Sequence, residues 1–260
     1  MIDTTGSRTR RRGWVIVVVA LLLAVAIPVL ALLYDIRDPG ELALVDGVIV
    51  YRTSAKAAGS GNIDSFLIVG DNDSEEEGYN TSGTFDLNQK TGTDPLPLTD
   101  IPQTTINGVV YREFVLDLNE DNDKDITLQK LQLFTATAAN LTGYSAGPPP
   151  SIGGATTLIW DLDSGGDNEL LLDDYASGSG AIDYAFFVPD SLFGAGPNCD
   201  YGEPFGGGGE CNIYVYMYNL FTGIGDGFEE WSVGADAPVV ASPTPTNTAT
   251  NTPTNTPTDT

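Results

Sequence analysis

Residues 213–220 read IYVYMYNL. In an extended chain Ile213, Val215 and Met217 face one way, and Tyr214, Tyr216 and Tyr218 face the other. A period of two with β-branched and aromatic side chains predicts a strand. The same signature recurs outward in both directions, at 45–51, 63–69, 109–118, 126–135, 156–162, 169–172, 182–188 and 228–233. In the 109–118 run Val110, Phe114, Leu116 and Leu118 share a face, with Arg112 as the exception. Clusters of Gly, Asp, Asn and Pro separate the runs, and no stretch after residue 40 keeps a helical period. About nine such runs in one domain predict an all-β fold, a single antiparallel β-sandwich of jelly-roll type over residues 47–236. Two long connections interrupt it, 88–104 and 136–155, the second containing Pro148-Pro149-Pro150.

The flanks differ from this core. Residues 14–33, WVIVVVALLLAVAIPVLALL, carry no charge and follow Arg8, Arg10, Arg11 and Arg12 in the basic segment 1–13. Twenty apolar residues at about 1.5 Å each span the hydrocarbon core of a bilayer. The arginines keep the N-terminus cytoplasmic and send the rest outward. The segment is either a transmembrane anchor or a signal peptide, with Val29-Leu30-Ala31 as a small-residue cleavage site. Residues 34–46 read as a spacer. At the other end, 237–260 runs into SPTPTNTATNTPTNTPTDT, a Thr/Pro/Asn repeat with nothing to bury, expected to be a disordered stalk.

Of the 260 residues, 36 are acidic and 11 basic, and from residue 34 onward the net charge is −28. Such a surface repels nucleic acid and suits cations, calcium above all, unless it serves only solubility. The absence of histidine excludes Ser-His-Asp and Cys-His catalysis and the usual zinc sites. Cys199 and Cys211 are the only cysteines, and in an exported chain they are expected to pair. Closing that Gly-rich loop contributes roughly 3 kcal/mol.

Three acidic loops are candidate cation sites. The strongest is Asp117, Asn119, Asp121, Asp123 and Asp125, whose alternate spacing lets oxygens converge in a curved loop; its plain alternative is a solvated hairpin between two strands. The second is Asp161, Asp163 and Asp167, where Gly165-Gly166 equally explains a tight turn. The third is Asp71, Asp73, Glu75 and Glu77.

EGYNTSG at 77–83, INGVVYREFVLDLNE at 106–120, ITLQKLQLFTA at 126–136, WDLDSGGDNELLLD at 160–173, SGSGAIDYAFFVPDSLF at 177–193, and YVYMYNLF with GFEEWSV at 214–233 occur in this order. This order resembles a group of uncharacterised secreted bacterial proteins, many of which end in a PEP-CTERM-type sorting signal. The tail resembles stalks on surface proteins of Chloroflexi-type bacteria. The resemblance implies an exported β-rich domain of a bacterial surface or matrix and implies no reaction. The Cys199–Cys211 segment and the Thr/Pro tail depart from that pattern.

A non-catalytic cell-surface or matrix module, stabilised by calcium, is therefore the first expectation. Its partners would be the membrane through residues 14–33, glycans or other surface proteins, and not nucleic acid. A carbohydrate-binding module is the alternative, through Trp160, Trp231, Tyr214, Tyr216 and Tyr218, although tryptophans in strands are more often core. A glycoside hydrolase is the third, with Glu229-Glu230 as the one tempting pair, although neighbours in a strand point to opposite faces.

Overall fold

The computed structural model describes residues 31–53, 64–70, 74–119, 125–174, 182–194, 196–206, 210–225 and 227–234. The apolar segment 14–30, the tail, and Asp71, Asp73, Asp121 and Asp123 lie outside them. The chain is mostly β. Its strands are β1 (Leu33–Asp35), β2 (Leu42–Val45), β3 (Val48–Arg52), β4 (Ser65–Val69), β5 (Glu75–Tyr79), β6 (Leu96–Pro97), β7 (Gln103–Ile106) and β8 (Val109–Leu118). They continue with β9 (Asp125–Ala136), β10 (Tyr144–Ser145), β11 (Ser151–Ile152), β12 (Thr157–Asp161), β13 (Glu169–Asp173), β14 (Tyr184–Pro189), β15 (Tyr214–Thr222) and β16 (Glu229–Val233).

Two seven-stranded sheets result. The first runs β1-β13-β9-β15-β5, with β12 also on β9 and β6 on β15. The second runs β2-β3-β14-β8-β16-β4, with β7 also on β8. Every pairing between these strands is antiparallel except β1 with β13.

Alternation decides which side chains meet. Val215, Met217 and Phe221 of β15 join Phe114, Leu116 and Leu118 of β8, Phe186 of β14 and Trp231 of β16 in one core shared by both sheets. Phe186 and Phe221 flank the indole of Trp231, at ring-centroid separations of 4.8 and 6.5 Å. Slipping β16 by one residue would put Glu230 there instead, forfeiting about 1.5–3 kcal/mol for the aromatic alone. In β9 the inward set changes parity, from Ile126 and Leu128 to Leu131 and Leu133. A bulge causes it: Leu220 faces Lys130 while Phe221 faces Leu128, so Gln129 is the extra residue.

The outward faces are covered as well. Tyr216 and Tyr218 are buried in a second cluster with Tyr79, Phe134 and Ile152. Their hydroxyls and rings tie the long connection 137–155 to the sheet. The Tyr216 hydroxyl donates to the Ala138 carbonyl at 2.7 Å and accepts from the Leu141 N–H at 3.1 Å. Tyr144 stacks on Tyr218 at 3.8 Å.

Three expectations change. The stretch 34–46, read as a spacer, supplies β2 and most of β1; runs of three or four residues are too short to show a period. β8 and β9 form no hairpin, because they lie in different sheets. Nor do β12 and β13 pair with each other. Both lie along the same edge of β9 in the same direction, so 162–168 is an excursion in mid-edge. The expected N-terminal helix lies largely outside the described residues. Among these no helix is long and apolar enough to cross a membrane, and Leu33, the last residue of the apolar run, begins a strand.

Candidate functional site

Four times the chain passes between the sheets at one end of the fold, from Val69 to Glu75, Leu118 to Asp125, Asp173 to Tyr184 and Thr222 to Glu229. Strand ends rich in carboxylates therefore converge there. On the second sheet's outward face, Asp117 of β8 stands directly opposite Glu230 of β16. Like charges so placed repel, which a cation between them would reverse. Asp183 flanks Asp117 on the β14 side, its backbone N–H donating to the Leu116 carbonyl at 3.0 Å. Its carboxylate accepts the Leu118 N–H at 3.0 Å. Asp117 is fully buried, and Asp183 and Asp174 nearly so. Burial, and then the charges of Asp174 and Asp117, push Asp183 up to about 7, against the pull of the Leu118 N–H and Arg52.

Of the strongest predicted loop, Asp117 and Asn119 belong to this row. Asn119 donates through Nδ2 to Glu230 Oε2 at 3.4 Å. Asp125 lies apart, paired in register with Asp173 on the first sheet and bound by Arg37 at 2.7 Å. No group of three or more described carboxylates stands close enough together to hold an ion by itself. Of the third loop, Glu77 faces outward and accepts the Tyr218 hydroxyl at 2.5 Å, while Glu75 opens β5, opposite Thr222.

The second predicted loop turns its carboxylates on its own backbone. Asp161 accepts the Asp163 N–H at 3.0 Å and the Gln132 amide at 2.9 Å. Asp163 accepts the Asn168 N–H at 3.1 Å. Burial and then the Asp161 charge still raise Asp163 to about 6, with Asp167 adding to it. Ser164 reaches Asp46 at 2.5 Å.

Cys199 and Cys211 form the expected disulfide. Trp160 and Trp231 are 6% and 0% exposed, and Tyr216 and Tyr218 are buried, so their rings present no open platform; Tyr214 packs half-buried at the second cluster. Glu229 lies inward with Trp231, whereas Glu230 lies outward, so the two carboxylates do not share a face.

Several residues escaped the sequence. Arg52 and Arg112 both sit on the core face of the second sheet, 1% and 0% exposed, near its opposite ends. Arg52 donates to the Tyr184 hydroxyl at 2.6 Å and pairs with Asp173 at 3.3 Å, bridging the sheets at the acidic end. Arg112 ties connecting segments to the second sheet at the far end. It reaches the Leu98 and Ile101 carbonyls at 3.0 Å, the Cys199 carbonyl at 2.6 Å and Asp190 at 2.6 Å. Its signal was visible, as the one cation in an apolar alternation. Asp183 had a weaker one, a lone acid opening the run before YAFFVP.

No protein-family model matches the chain, and no curated protein matches it.

Proposed function

We propose that this chain is an exported, non-catalytic module of a bacterial surface or extracellular matrix. Its domain is a jelly-roll-like β-sandwich that calcium stabilises at the acidic end. One observation carries the calcium part: Asp183, Asp117 and Glu230 stand in a row across three adjacent strands, beside Asn119. Oxygens from this row, with the Asn119 amide and water, match the hard, multi-oxygen coordination of calcium. Export is supported by the charge-free run 14–33 behind four arginines, by the disulfide, and by the resemblance to secreted bacterial proteins.

Calorimetric melting of the full chain tests this. Calcium at about 100 times its dissociation constant adds about 2.7 kcal/mol. The transition should rise with calcium, fall back with chelator, and respond less to calcium in Asp117→Asn than in the wild type. A transition that ignores calcium in the wild type refutes the calcium part. Protease treatment of intact expressing cells tests the location. The domain should be cut while a cytoplasmic marker survives, and protection of both refutes export.

A further inference from the structure

The core holds three polar side chains where apolar ones belong. Glu76 of β5, Asn219 of β15 and Glu229 of β16 are each 0% exposed. Asn219 continues the inward set Val215, Met217 and precedes Phe221, the next inward residue. Its register partners are Gly78 on β5 and Leu131 on β9. Glu76 faces Phe221, one inward step along β5 from Gly78, so it is the diagonal neighbour of Asn219 on the same face. Glu229 comes from the other sheet, opposite Val69 and Leu118 and inward like Trp231.

The sheets touch at this point. A Cβ on Gly78 would fall 2.6 Å from Val69 Cγ1 and 2.7 Å from Gln89 Cγ. Gly78 is the strand neighbour of Asn219, and Val69 is the strand neighbour of Glu229. The pairs Asn219–Gly78 and Glu229–Val69 therefore lie across the core from one another. Among the described residues neither Oδ1 nor Nδ2 of Asn219 has a hydrogen-bond partner. A buried carboxamide with both ends unmatched, on inward faces that also carry Glu76 and Glu229, calls for a partner that the described residues do not supply.

We propose that Glu76, Asn219 and Glu229 hold a divalent cation inside the core, with calcium as the fitting ion. Two carboxylates and an amide carbonyl are hard donors, and backbone carbonyls or water complete the shell. The acidic surface at this end of the fold enriches cations nearby. The site stands apart from the outward row at Asp117, so either can fail without the other.

Calorimetric titration of the chelator-treated full chain with calcium chloride tests it. The wild type should bind at this site and at the outward row. Asn219→Leu should still melt cooperatively in chelator and should lose one class of sites, with binding there weakened roughly 10–100-fold or more. Asp183→Asn should lose only the other class. Asn219→Leu binding calcium like the wild type would overturn the proposal. Should Asn219→Leu not fold, Asn219→Asp decides. Its added carboxylate should lower the chelator melting temperature, and calcium should raise it by more than it raises that of the wild type; a rise no larger than the wild type's means that Asn219 is structural only.

Discussion

Arg112 Nη2 donates to the carbonyl oxygen of Cys199 at 2.6 Å, joining the buried start of β8 to the disulfide. The same guanidinium holds Leu98, Ile101 and Asp190, so one side chain satisfies acceptors from three segments. Arg112→Met keeps the bulk and removes every donor. It should cost about 3–5 kcal/mol, as for a broken buried pair. Urea denaturation measures it. Arg112→Lys should recover only part, because a single ammonium cannot reach all four acceptors.

Glu113, one residue on, faces outward beside Phe187 and Val115 and is 7% exposed. Its Oε1 has no partner among the described residues, and burial alone raises its pKa to about 7. The folded chain thus keeps a proton that the unfolded chain releases near pH 4.5. This contribution is fully present below about pH 4.5 and is lost as pH rises through about 7. Glu113→Gln should therefore raise stability above pH 7 by about 2–3 kcal/mol and change little below pH 4.5. Melting temperatures against pH, in chelator, check it.

Tyr216 connects the sheet to the connection 137–155 through its hydroxyl, as donor and as acceptor. Tyr216→Phe should leave the ring packed and cost about 1–2 kcal/mol. Hydrogen exchange should quicken at the Leu141 amide while the β9 amides stay protected.

Val69 and Gln89 occupy the space that a side chain at Gly78 would take. Gly78→Ala should cost about 1–3 kcal/mol by overpacking, whereas Val69→Ala in the same chain should recover part of that. A double-mutant cycle in denaturant melts reads the coupling.

Each of the nine alternating runs in the sequence falls on a strand, and the opposed faces of 213–220 are as expected. Local periodicity carries this, because each side chain's face depends only on its neighbours along the chain. Pairing was not legible in the same way. A turn-rich connection between two strands looks alike whether it closes a hairpin or crosses between sheets. The runs 109–118 and 126–135 took the second course. The site suffered most from this. EEEGY at 75–79 reads as a solvated acidic run, yet register against β15 turns Glu76 into the core. Asp183 and Glu230 join Asp117 only through long-range pairing, across 66 and 113 positions of chain.

The parallel pair β1–β13 also sets how the domain answers a pull along its chain. β1 holds one edge by three register pairs, Leu33 to Asp35 against Glu169 to Leu171. β16, the last described strand, lies between β4 and β8 with four pairs on one side and five on the other. Tension between the two ends of the described chain loads both strands, and the shallower grip yields first. Peeling β1 should release a short length of chain while β16 keeps its place.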